Sequence, residues 1–198
     1  MKLSARLQIS VIALAGLSSC GGFGQVNQGQ VVEYRRAEGL ITLISDSNYR
    51  DPAHPRFDVL PPVTIRVPEN PREMGPEPEP GKLLALDSRN GRAVIFDPGA
   101  QALRSVELTI VSERSDVRST DARVAKAGLP LVDRTARTIT TYVPRERKLI
   151  TFSVPEEYLG LPGDVWKVGD EIRYYYKDAG RALRLMNVTR TDLNKAGE

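Results

Sequence analysis

Apolar and polar residues alternate repeatedly along this chain from residue 30 onward, the period of a strand with one buried face. Val63-Thr-Ile-Arg-Val67 shows the pattern most cleanly, with Val63, Ile65 and Val67 on one side and Thr64 and Arg66 on the other. Val106-Glu-Leu-Thr-Ile110 repeats it. Gln30–Tyr34 and Leu40–Ile44 are rich in β-branched residues and flank the turn-like Ala37-Glu-Gly39, so they predict a hairpin. Leu83–Leu86 and Ala93–Phe96 flank Asn90-Gly91, a dipeptide that readily takes the positive φ of a tight turn. Further on, Thr138–Val143 and Lys148–Val154 are strands joined by Pro144-Arg-Glu-Arg147. The next strand places Ile172, Tyr174 and Tyr176 on a core face and Arg173 and Tyr175 on a solvent face. Arg184, on the strand after it, is expected to point outward.

The interruptions are as regular as the strands. Asp46–Pro62 carries three turn-forming clusters and reads as a long loop. Pro68 ends the Val63–Val67 strand, and Pro71, Pro76, Pro78 and Pro80 keep the following stretch out of any long helix. Glu156–Lys167 is a second excursion, more apolar, in which Tyr158, Leu159, Val165 and Trp166 are candidates to plug an open barrel end. Ser112–Lys126 is charged, lacks apolar periodicity and reads as a linker with one helical turn around Ala122–Ala127.

The second half repeats the first. Val67-Pro-Glu69, Gly81 and Gly91-Arg-Ala93 recur about 88 residues further on as Val154-Pro-Glu156, Gly169 and Gly180-Arg-Ala182. Short antiparallel strands hide their edges by closing on themselves. The expected fold is therefore all-β, with two tandem small antiparallel barrels and short helical or irregular excursions. The boundaries are 29–112 and 129–192 for the two units, 113–128 for a charged linker and 193–198 for a tail. The alternative is one continuous sheet shared by both halves.

The N-terminal stretch breaks the pattern. Lys2 and Arg6 precede a mostly apolar run, Leu7–Gly16, too short for the ~20 residues of a membrane span. That is the form of a secretory signal. Leu17-Ser-Ser-Cys20 then resembles the lipobox of bacterial lipoproteins. The resemblance implies a signal peptide over 1–19, acylation (palmitate) of Cys20 and a flexible tether over 20–28. It also implies a place in the cell envelope, anchored by lipid and facing the periplasm. Gly21 stands where an aspartate would signal inner-membrane retention, which favours the outer membrane.

Composition narrows the chemistry. Of 198 residues, 179 remain after such cleavage, and the loss of Lys2 and Arg6 lowers the net charge from +3 to +1. That is poor material for nucleic-acid binding, which needs several phosphate-neutralising cations. Cys20 is the only cysteine, so acylation leaves no disulfide and no thiolate. His54, the only histidine, lies in a loop, and one imidazole does not make a zinc or copper site. No cofactor motif and no metal site are expected. Glu77-Pro-Glu-Pro80 is a weak calcium-type run and otherwise a solvated extended segment. Glu156-Glu157 and Asp170-Glu171 are adjacent acids that a strand would point to opposite faces. Acids distant in sequence remain free to converge.

Two resemblances bear on fold and family. Thr138-Ile-Thr140, Ile150–Val154 and Val168-Gly-Asp-Glu-Ile172 look like small periplasmic barrels of the OB type, among them copper-binding chaperones, though the ligands of that group are missing. Leu60-Pro-Pro-Val-Thr64, Glu73-Met-Gly-Pro-Glu77, Val94-Ile-Phe-Asp-Pro98 and Leu185-Met-Asn-Val-Thr189 resemble an uncharacterised lipoprotein family of sulfate-reducing bacteria. Together these give an envelope lipoprotein that acts as a non-catalytic binding module for a protein or glycan. The alternative is a hydrolase using dispersed carboxylates. On an OB-type barrel the ligand surface lies on the second and third strands and nearby loops. That makes Tyr142, Arg145, Arg147, Arg173, Tyr175 and Arg184 the candidate partner-binding residues.

Overall fold

The computed structural model describes residues 24–191. In chain order its strands are β1 (Gln25–Arg35), β2 (Leu40–Asp46), β3 (Phe57–Arg66), β4 (Leu83–Asp87), β5 (Arg92–Asp97), β6 (Ala102–Glu107) and β7 (Thr109–Arg114), followed by the short helix α1 (Ala122–Ala125). Strands β8 (Leu131–Asp133), β9 (Thr138–Val143) and β10 (Lys148–Ser153), helix α2 (Glu156–Leu159), and strands β11 (Glu171–Tyr176) and β12 (Arg184–Asn187) complete it. The strands form three sheets, ordered β12-β11-β1-β2-β3, β7-β10-β9-β8 and β4-β5-β6, with every strand pair antiparallel. The all-β expectation holds.

The tandem barrels do not form. Strand β1 is long because it serves two partners: Gln25–Gln30 pairs with β11, and Gly29–Arg35 pairs with β2. The last strands of the chain thus join the sheet built by the first three. The intervening strands, β4 to β10, build the other two sheets. The two parts are nested rather than sequential, and neither 29–112 nor 129–192 corresponds to a sheet. The stretch read as tether becomes strand from Gln25 onward, and the stretch read as loop becomes strand from Phe57 onward. Pro61 and Pro62 are tolerated because β3 is an edge and the register slips between Val59 and Val63. The helical turn expected near Ala122 is present as α1, capped by the Asp121 carboxylate, which accepts from the Arg123 N–H at 2.9 Å.

The five-stranded sheet curls without closing. The β3 edge meets the segment before β12, where the Arg66 N–H donates to Gly180 O at 2.8 Å and the Ala182 N–H donates to Arg66 O at 2.9 Å, and β12 meets the segment after β3, where the Gly75 N–H donates to Leu185 O at 2.9 Å. Its concave face buries Val31, Ile41, Leu43, Ile65, Ile172, Tyr174 and Leu185, so the expected facing of Ile172 and Tyr174 is correct. Arg173 and Tyr175 lie half-buried on the other face, and Arg184 is exposed.

The other two sheets share one core. Strands β6 and β7 are one run bent at Leu108, whose N–H donates to Gly91 O at 2.7 Å. Leu86, Ile95 and Val106 face Ile139, Ile150 and Phe152 across it. The apolar excursion after β10 supplies Leu159, Val165 and Trp166, so it fills this core rather than capping a barrel. Trp166 meets Phe152 edge-on at 5.7 Å. Val32, Ile44, Leu84 and Phe96 form a third cluster, which joins the back of the five-stranded sheet to β4 and β5.

A nested chain must cross between the two parts twice, and both crossings occur at the repeated glycines. The chain leaves the first sheet through Gly81 and returns through Gly169. The Gly81 N–H donates to Val31 O at 3.0 Å, and Val31 N–H donates to Asp170 O at 2.9 Å. A Cβ on Gly169 would lie 2.1 Å from Val31 O and 2.8 Å from Gly81 N. One on Gly81 would lie 2.3 Å from Lys167 O and 2.6 Å from Gly169 N. Only glycine fits either position.

Candidate functional site

Asp170 and Glu171 follow the Gly169 crossing, and their side chains diverge as adjacent strand residues must. Each meets a distant acid. Glu171 is buried beside Asp46, the last residue of β2. Gln28 Nε2 donates to both, to Asp46 Oδ2 at 3.3 Å and to Glu171 Oε1. Arg145, from the β9–β10 turn, caps Glu171 Oε2 and also donates to Pro52 O at 2.6 Å. Arg173 donates to Gln28 Oε1 through Nε at 2.9 Å and Nη2 at 2.6 Å. Asp46 Oδ1 accepts from the backbone N–H groups of Asn48 at 2.8 Å and Arg56 at 2.7 Å, which fixes the loop after β2. Burial pushes the Glu171 carboxyl above its usual range, against the pull of Arg145. Beside it opens a cavity of about 240 Å³ lined by Gln30, Phe57, Arg145, Glu171 and Thr189.

Asp170 belongs to a second cluster. It is buried and accepts from Arg190 Nε at 2.6 Å, Asn187 Nδ2 at 2.9 Å and the Glu79 N–H at 2.9 Å. Glu79 in turn meets Lys167 Nζ and Arg190 Nη2, each at 2.6 Å. Lys167 and Arg190 hold the Glu79 carboxyl down to about 2. Glu77 pairs with Arg36 at 3.1 Å, so both acids of the Glu77-Pro-Glu-Pro80 run have cationic partners. The run is a clamp between the excursion after β3 and the segment after β12.

The six candidate partner-binding residues fall into three groups. Tyr142 donates to Val117 O at 2.9 Å and Arg147 pairs with Asp116, so these two hold the loop after β7. Arg145 and Arg173 enter the Glu171 cluster. Tyr175 and Arg184 are Cα partners on the outer face of the first sheet, where Arg184 also pairs with Glu73 at 2.6 Å. Gln28, Asp46 and Thr189 escaped sequence reading. Gln28 fell in the stretch read as tether and Asp46 at the start of the stretch read as loop, so neither was placed on a strand. His54 is exposed and contacts Asp51 Oδ2 at 2.9 Å. Cys20 lies outside the described residues. Among the described residues no three His, Cys, Asp or Glu side chains gather closely enough to hold a metal ion, and no helix is long and apolar enough to cross a membrane.

The raised Glu171 carboxyl carries a sign. A carboxyl whose folded pKa lies above its unfolded value contributes stability below the unfolded pKa, and that contribution is lost as pH rises through the folded pKa. Glu171→Gln has no such loss. Its stability relative to the wild type is expected to improve as pH rises above about 4.5, the ordinary glutamate range. Urea midpoints across that range are the measurement, and a constant difference would show that the carboxylate is already well solvated.

Fold and site together define an all-β protein whose sheets are locked by two buried, charge-bearing clusters. The chain belongs to the family described as Domain of unknown function (DUF4881), which matches residues 22–196. No curated protein and no solved structure matches it.

Proposed function

We propose that this protein is a cell-envelope lipoprotein, anchored through Cys20, that works as a non-catalytic binding module for an envelope protein or glycan. The observation that supports binding over catalysis is the state of the converging carboxylates. Asp46, Glu79, Asp170 and Glu171 each accept at least two hydrogen bonds from cations, amides or backbone N–H groups. Acids tied in this way stiffen a scaffold, whereas a general base needs an oxygen within reach of a substrate proton. The cavity beside Arg145 and Phe57 offers a charged donor next to an aromatic ring, a pairing favoured at recognition sites. The anchor is supported by Leu17-Ser-Ser-Cys20, and Gly21 favours the outer membrane.

Two measurements test this. The wild type takes up labelled palmitate and sediments with membranes, and Cys20→Ala does neither; label persisting in the variant would sink the anchor. Affinity capture from solubilised envelope with wild type and Arg145→Gln tests the cavity. A partner held equally well by the folded variant removes the cavity from consideration. The competing reading is a hydrolase built on the Asp46 and Glu171 pair, which the raised Glu171 carboxyl favours. Glycan or ester turnover that Glu171→Gln abolishes would replace the binding reading.

A further inference from the structure

The described fold begins close to the proposed anchor. Gly24, four residues beyond Cys20, already lies against the Tyr175 ring, where an added Cβ would be 2.0 Å from the ring carbon that bears the hydroxyl. The next residue, Gln25, pairs with Tyr176. Four fully extended residues span at most about 14 Å. A domain of this size has a radius of gyration of about 15 Å. A leash shorter than the domain is wide cannot let it turn freely, so the start of β1 stays next to the bilayer.

The surface there has matching chemistry. Val26 is 61% exposed and is the Cα partner of Tyr175, which is in turn the partner of Arg184. Leu183 is 39% exposed, and its N–H donates to Tyr175 O at 2.8 Å. Residues 177–184 carry Lys177, Arg181 and Arg184 against a single acid, Asp178. Glu69 and Glu73 reach Arg181 and Arg184, while Lys177 is exposed with no ion-pair partner among the described residues. Aliphatic side chains around a tyrosine, edged by long cations, suit the boundary between acyl chains and phosphates.

We propose that the outer face of the five-stranded sheet around Val26, Tyr175 and Leu183, edged by Lys177 and Arg184, lies on the anionic lipid surface to which Cys20 is tethered. This rests on the reading of Cys20 as the lipid-bearing residue. Side chain and leash act together: the leash sets the distance, and the apolar and cationic residues choose which face turns down.

The test uses the full-length lipidated protein in phosphatidylethanolamine–phosphatidylglycerol vesicles. Cys20 is the only cysteine and its thiol is consumed by the lipid, so Val26→Cys, Leu183→Cys and Leu131→Cys each offer one site for an environment-sensitive probe. Leu131, on β8, is 50% exposed and serves as the control. Probes on Val26→Cys and Leu183→Cys are expected to shift to the blue and to be quenched by lipids carrying a nitroxide near the headgroup. The probe on Leu131→Cys is expected to do neither. A blue shift without quenching would mean that protein, such as a second copy of this chain, covers the face, and would overturn the proposal. So would equal quenching at all three positions, or quenching at none. Palmitate incorporation is read on the same samples. Label present with unquenched probes sinks the orientation alone; label absent sinks the anchor and the orientation together.

Discussion

Gly169→Ala is expected to destabilise this protein by about 3 kcal/mol or more, at or beyond the upper end of the usual range for overpacking. The added Cβ would sit 2.1 Å from Val31 O and 2.9 Å from Gly81 O. Both obstacles are backbone atoms, and both are engaged in the bonds that join the sheets, so relief requires moving a strand rather than a rotamer. Gly81→Ala meets the same junction from the other side, at 2.3 Å from Lys167 O. Since the two substitutions strain one contact, the double variant should cost less than the sum of the singles. Gly160→Ala and Gly163→Ala, which have nothing within 4 Å of the added carbon, should change stability by less than about 0.5 kcal/mol. Urea unfolding of the four single variants and the double variant measures this. A Gly169→Ala protein as stable as Gly160→Ala would show that the crossing yields freely.

Arg190→Ala should cost about 3 kcal/mol, the low end of the loss when one partner of a buried pair is removed, because the guanidinium is itself partly exposed. It strips the shared cation from Asp170, which is buried, and from Glu79. Adding Asp170→Asn should recover part of the loss, since the amide no longer needs a counter-charge. The acid limb of the stability curve supplies a second readout. Glu79 is held down to about 2, so its contribution is complete above the ordinary glutamate range and is lost as pH falls from there towards about 2. Without Arg190 its carboxyl rises towards the ordinary range, so less stability is lost in acid and the gap between the two proteins narrows as pH falls. Urea midpoints near pH 7 and near pH 3 compare the two proteins. An unshifted acid limb would mean that Lys167 alone sets the Glu79 carboxyl.

What the sequence made legible was local. Val63–Val67, the hairpin at Asn90-Gly91 and the Ile172–Tyr174 core face follow from alternation and turn chemistry within a few residues. Gln25–Gln30 was illegible because its buried side chains, Gln28 and Gln30, lie on the face of Arg173 and are buried for hydrogen bonding rather than for apolar packing. Phe57–Pro62 was illegible because prolines usually end strands, and nothing nearby reveals that this strand is an edge. The choice of β11 as partner for β1 has no local signature, so two sequential barrels were the natural guess for strands that in fact nest. The charged clusters inherit the same difficulty, for Gln28 meets Arg173 only through that distant pairing. The repeated glycines were visible, but their meeting at one crossing was not.

The nesting also sets an order of assembly. Gln28 and Arg173 are 145 residues apart in the chain, and their strands must pair before the first sheet is whole. Closing so long a loop is slow compared with forming hairpins, so the internal sheets have time to form first. Until residue 171 has been made, half of β1 has no partner and the Val31–Leu43 core has one open wall. A chain broken off anywhere upstream stays unfinished at its very first strand. Completion of the fold therefore doubles as a check that synthesis reached the far end of the message.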